Sequence, residues 1–211
     1  MINTVIFDFD GTLADTSGLV LNSFKHIYSK YHNRKCDEEY ILSIFGEPLE
    51  ITLRREFADF KFEDVMTSYR EYQNDKFEKD VKVFDTVIET LDYLKSNNFK
   101  LGIATSRLRA STLWALKVLK IDKYFEVLVA VDDVIKHKPN KEALIKVINQ
   151  LNSSTESSLY VGDSKYDMEC ALNAEVTPVL VGWHSNSKSL AEEYNIKHIL
   201  DKMWDLTELL K

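Results

Sequence analysis

The stretch TVIFDFDGTLADT, residues 4–16, decides the reading of this chain. Thr4 to Phe7 have the length and composition of a strand buried on both faces. Asp8 and Asp10 stand at its carboxyl end, and Gly11 then allows a tight turn. In an open parallel sheet that edge is where ligands bind. Carboxylates this close repel each other unless a cation lies between them or one is protonated. A hard divalent cation with oxygen ligands, most simply Mg2+, resolves the conflict.

Outward from this stretch, similar apolar runs recur at 100–105, 127–131, 159–162 and 178–182. Between them lie helical stripes: Val87, Leu91 and Leu94; Leu113, Leu116 and Leu119; Ala143, Val147 and Leu151. Strand alternating with helix predicts an α/β fold, a doubly wound, Rossmann-like parallel sheet. One region breaks the alternation. From Ser17 to Lys79 only helical patterns occur, with Val20, Phe24, Ile27 and Tyr31 on one face and further helices over 37–45, 48–57 and 62–77. The expected organisation is a core of residues 1–15 and 81–211 with an inserted all-helical domain, 16–80. Its hinges fall near Ala14–Ser17 and Asp80–Phe84. Asp15, Thr16 and Ser17 read as a cap for the first inserted helix.

The composition narrows the function. The chain has 211 residues, 45% apolar and 29% charged, with a net charge of −7. An acidic protein is a poor fit to nonspecific nucleic-acid binding, which needs clustered Lys and Arg. No apolar run approaches the ~18 residues of a membrane span. The first apolar run has no cationic stretch before it and ends in acids, so a signal peptide is not expected. Cys36 and Cys170 have no metal-ligand spacing and read as reduced thiols, so the expected location is cytoplasmic. Monomer and homodimer are both left open by the sequence.

Other strand ends also carry polar groups. Thr105 and Ser106 end one strand. Asp163 ends another, with Asp167 one helical turn later, and Lys138 follows a third. Acids, a hydroxyl pair and a lysine at one sheet edge suit a phosphoryl group held against Mg2+. Each residue also has a plainer reading. Thr105 and Ser106 alone would cap a helix starting near Leu108. Asp167 alone would be a first-turn acid. Lys25, Arg54, Arg55 and Arg107 are read as solvated side chains within possible reach of an anionic substrate. The five histidines, His26, His32, His137, His184 and His198, are given no role.

DFDGTLADT resembles the first motif of the haloacid dehalogenase superfamily in its phosphatase form. IATS resembles the second motif, Lys138-Pro139 the third and VGDSKYD the fourth. LDYLKSNNFKLGIATSR and YFEVLVAVDDV follow the phosphoglycolate phosphatases and related bacterial pyrophosphatases. The helical block lies where that superfamily inserts a cap. The resemblance implies that Asp8 is the nucleophile and Asp10 the general acid and base. It implies that Thr105, Ser106 and Lys138 hold the phosphoryl group. It implies Mg2+ on Asp8, the Asp10 backbone carbonyl and Asp163, with Asp167 acting through a water.

The implied partner is a small phosphorylated metabolite. Asp10 separates this pattern from dehalogenases and phosphonoacetaldehyde hydrolases, which lack that acid. A phosphosugar mutase of the β-phosphoglucomutase type is the alternative activity. Ser17-Gly18-Leu19-Val20, where such mutases carry a histidine, speaks against it. A non-catalytic phosphometabolite-binding module is the alternative class. Phe84-Asp85-Thr86, in place of a usual Pro-Gly pair, and Asn140-Lys141 after the third motif mark a divergent member.

Overall fold

A computed structural model describes residues 1–211. Its main sheet has six parallel strands, β1 (Thr4–Phe7), β4 (Lys100–Ala104), β5 (Val127–Val129), β6 (Ser158–Gly162), β7 (Thr177–Val181) and β8 (His198–Leu200), in the order β5-β4-β1-β6-β7-β8. Numbered within this sheet the order is 3-2-1-4-5-6, the doubly wound arrangement the alternating pattern predicts. The direction of winding reverses between β1 and β6, so their carboxyl ends open a crevice.

Alternate residues of β1 explain the layering. Val5 and Phe7 enter the larger core cluster with α5 (Val87–Ser96) and α6 (Arg109–Val118). Ile6 faces the other way, into a cluster with α7 (Glu142–Gln150) and α8 (Lys165–Asn173). Both faces of the strand are dry, which is why it carries no polar alternation. Two short helices, α9 (Ser187–Glu193) and α10 (Leu206–Leu209), complete the core. The stripe expected through Leu113 is shifted: Thr112, Ala115 and Leu116 are buried, whereas Leu113 is 42% exposed. The strand β8 was not read from the sequence, because His198-Ile199-Leu200 is too short to show a period.

The inserted block is helical throughout: α1 (Ser17–Ile27) running into a π turn, α2 (Glu38–Ser43), α3 (Leu49–Glu56) and α4 (Phe62–Asp80). It has its own apolar cluster, built on Phe24, Ile27, Ile41, Leu53, Phe57 and Val65. At its root the two bodies merge, since Leu19 and Phe77 belong to the core cluster instead. The two chain crossings pair as an antiparallel ribbon, β2 (Ala14–Asp15) with β3 (Lys82–Val83), joining the two expected hinges. The capping expectation needs correction. Thr16 holds the N-cap position of α1 but makes no side-chain cap hydrogen bond. Asp15 points to solvent from β2, where pairing with Lys82 claims its backbone.

Candidate active site

Asp8 leaves β1 almost fully buried, and Lys138 reaches it from the loop after β5. The Lys138 Nζ donates to Asp8 Oδ1 at 2.8 Å and to Asp167 Oδ1 at 2.7 Å. Its side chain is only 4% exposed. A lysine this deep survives as a cation only when paired. Burial pulls its pKa down, but Asp167 and Asp8 together raise it above the ordinary value.

Asp167 is the better satisfied acid. Its Oδ1 also accepts from the Tyr160 hydroxyl at 2.8 Å. Its Oδ2 accepts from the Ser164 amide at 3.0 Å and the Ser164 hydroxyl at 2.6 Å. In return Ser164 caps α8, so Asp167 serves a capping box and the lysine at once. Burial raises its pKa, but Lys138, Ser164 and Tyr160 more than offset this and hold it below the usual range. Asp167 is thus the helix-start acid the sequence offered, and its other oxygen lies against Lys138 at the sheet edge. Gly162 is required behind it, because a Cβ there would lie 2.4 Å from Asp167 Cβ.

Asp8 and Asp163 are not so well compensated. Burial drives Asp8 up to about 7, against the pull of Lys138. Burial raises Asp163 well above the ordinary value, and Asp167 and Asp8 add to it. Asp163 accepts only from Thr12 Oγ1, at 3.3 Å. Carboxylate oxygens of Asp8, Asp163 and Asp167 all lie within 4.8 Å of one another. Gly11, at φ +78°, crosses over Asp163 where a Cβ would sit 2.3 Å from Oδ2. Hard oxygen donors carrying more negative charge than one lysine balances are a fit for Mg2+.

The remaining expected residues line the same edge. Thr105 is buried at the end of β4, and its Oγ1 accepts from the Arg107 amide at 3.2 Å. Neither Thr105 nor Ser106 caps α6, whose N-cap position is Leu108. Ser106 instead donates to the Gly46 carbonyl at 3.0 Å, tying this loop to the inserted domain. Asp10 is more open, with its side chain 31% exposed, and meets Arg107 Nη1 at 3.3 Å. A cavity of about 950 Å³ lies between the sheet edge and the helices. Asp8, Asp10, Thr105 and Asp163 form its floor, and Phe24, Ile44 and Met66 part of its roof.

Tyr160 escaped the sequence reading because it sits inside an apolar run. Its only signal is that a phenol in a central strand needs a partner. His184 also lies closer than expected, with Nε2 2.7 Å from the Gly11 carbonyl and 3.8 Å from Asp163 Oδ2. Among the cations, Lys25 pairs with Glu38, Arg54 with Glu50 and Arg55 with Glu47. Arg107 alone of that set reaches the acids.

With this geometry in hand, comparison with known proteins is informative. The profile of the haloacid dehalogenase-like hydrolase family matches residues 5–181. Pyrophosphatase PpaX of Bacillus mycoides (strain KBAB4) is 36% identical over 209 residues, covering 99% of this chain and 97% of its own. A predicted phosphoglycolate phosphatase from Haemophilus somnus 129pt superposes with a TM-score of 0.89 at 18% identity, over 100% of this chain and 98% of that one. A predicted phosphatase from Clostridium acetobutylicum gives 0.84 at 25% identity, over 100% and 98%. The chain belongs to the haloacid dehalogenase-like hydrolase family. Within that family it is an enzyme of the phosphatase kind. No helix is long and apolar enough to cross a membrane.

Proposed function

We propose that this chain is a Mg2+-dependent phosphatase that cleaves a small phosphorylated metabolite, phosphoglycolate-like or pyrophosphate, through an aspartyl-phosphate on Asp8. The observation that carries the reading is Lys138, which bridges Asp8 and Asp167 at the floor of the cavity. It holds the nucleophile's carboxylate in place and presents a positive charge where a phosphoryl group would arrive.

In the first step an Asp8 oxygen bonds to phosphorus and the bond to the leaving oxygen breaks. Asp10 gives that oxygen its proton. In the second step a water oxygen bonds to phosphorus and passes its proton to Asp10. The bond from phosphorus to Asp8 then breaks, releasing phosphate and restoring the carboxylate. The Thr105 hydroxyl donates a hydrogen bond to a phosphoryl oxygen, and Ser106 sits beside it. Asp8, the Asp10 backbone carbonyl and Asp163 would hold Mg2+, which when bound supplies charge against the phosphoryl oxygens. Asp167 fixes Lys138 from behind and would reach Mg2+ through a water. Residues 1–15 and 81–211 form the catalytic core in this reading, and residues 16–80 a cap that excludes water.

The test is phosphate release from a metabolite panel with Mg2+. Asp8→Asn is expected to lose at least ~10³-fold in kcat. Release at the wild-type rate from Asp8→Asn would sink the mechanism. Interconversion of sugar phosphates without net release would favour the mutase, and binding without turnover the non-catalytic module.

A further inference from the structure

Arg107 lies on the cavity wall with its side chain only 10% exposed, yet without a full set of partners. Its Nη1 reaches Asp10 Oδ1 at a long 3.3 Å. Its Nε is buried and has no acceptor at all. The guanidinium stands over Phe9 at 5.9 Å and Phe77 at 5.5 Å, so two rings hold its plane. Its backbone is fixed to Thr105, whose Oγ1 accepts from the Arg107 amide. A buried N–H without an acceptor is costly, and a native fold that keeps one calls for an explanation. That Nε is sealed from the cavity, but Nη2 makes no hydrogen bond and is not sealed, so the Nη1–Nη2 edge of the planar fork on the cavity wall matches a carboxylate or a phosphoryl group.

The other arginines of this wall differ. Arg54 is 56% exposed in its side chain and paired with Glu50 at 2.7 Å. Arg70 is exposed on α4.

We propose that Arg107 receives a second anionic group of the substrate, a carboxylate or a second phosphoryl group close to the leaving oxygen, and selects for substrates that carry one. The assignment rests on the phosphatase reading above. Closeness to the leaving oxygen follows from position. Arg107 touches Asp10, which serves that oxygen, and follows two residues after Thr105, which serves the phosphoryl group. An anionic leaving group takes the unpaired Nη2 and competes with Asp10 for Nη1. A neutral leaving group leaves Nη2 unfilled.

The experiment compares kcat/KM with Mg2+ for 2-phosphoglycolate and pyrophosphate against p-nitrophenyl phosphate. Wild type is expected to favour the first two by at least ~100-fold. Arg107→Gln should collapse that ratio by a similar factor, mainly through KM, and Arg107→Lys should restore part of it. Arg54→Gln should keep the ratio. A ratio unchanged in Arg107→Gln, with all substrates slowed together, would make Arg107 a clamp on Phe9 and Phe77 and overturn the proposal.

A second measurement needs no variant. 3-Phosphonopropionate should inhibit wild-type p-nitrophenyl phosphate hydrolysis at least ~30-fold more tightly than propylphosphonate. Equal inhibition overturns the assignment while leaving the phosphatase reading intact. Failure to release phosphate from any substrate overturns that reading first, and the Arg107 assignment with it.

Discussion

The site balances three carboxylates against one lysine, and its residues divide by how well that balance serves them. Asp167 and Lys138 are satisfied by hydrogen bonds within the protein. Asp8 and Asp163 are not, and burial holds both above the carboxylate range. The consequence for stability has a definite sign. A carboxyl with a raised folded pKa binds its proton more tightly folded than unfolded. Its stabilisation is therefore complete at low pH and declines as pH rises from the unfolded value, about 3.9, through the folded one. In EDTA at pH 7.5, Asp163→Asn should be more stable than wild type by about 1–3 kcal/mol. Added Mg2+ should raise the Tm of wild type and leave that of Asp163→Asn nearly unmoved. A lower Tm for Asp163→Asn in EDTA counts against this account. Most of these residues were legible in sequence, because acids at strand ends stand out against apolar runs. Tyr160 was not, because only its hydroxyl departs from a core residue.

Among the elements, the inserted helices carry a polar network of their own. The Arg55 fork meets both Glu47 oxygens at 2.9 and 2.8 Å, and its Nε meets Glu56 at 3.0 Å. Glu56 also accepts from the hydroxyls of Tyr28, at 2.7 Å, and Tyr40, at 2.5 Å. Burial raises both glutamates, but Arg55 and Thr52 on Glu47, and Tyr40, Tyr28 and Arg55 on Glu56, bring each below its ordinary value. A lowered folded pKa gives stability that is present above the unfolded value, about 4.3, and is lost as pH falls through the folded one. The α2–α3 segment should therefore open at acid pH before the sheet does. Hydrogen exchange over residues 37–57 from pH 6 to pH 3 would show it. Arg55→Gln should open the segment already at pH 6, and unchanged protection in that variant would refute the network's role. The sequence showed these helices by their period but could not tell a locked arginine from a substrate-facing one. Glu47 lies in the turn before α3 and not on a helix, so no helical spacing links it to Arg55.

At the scale of the whole molecule, two bodies meet over one cavity and are joined by the β2–β3 ribbon. A contact from Ser106 to the Gly46 carbonyl closes the far side of the seam. If the cap opens to admit substrate, a reducible cross-link between the Gly46 loop and the Ser106 loop should stop turnover. Reduction should restore it, and full activity in the cross-linked protein would exclude a moving cap.

The amino-acid sequence alone determined the doubly wound sheet, the helical insertion and the strand ends that hold Asp8, Asp10, Thr105, Lys138 and Asp163. Those features follow from local periods and from turn chemistry, which a chain carries wherever it folds. The tertiary structure alone decided that Thr16 forms no side-chain cap and that the two crossings pair as a ribbon. It also decided that Arg107 lies against Phe9 of the core and Phe77 of α4 with its Nε unpaired. Each of these depends on which distant side chains converge and on how much water they exclude, and no local pattern encodes that.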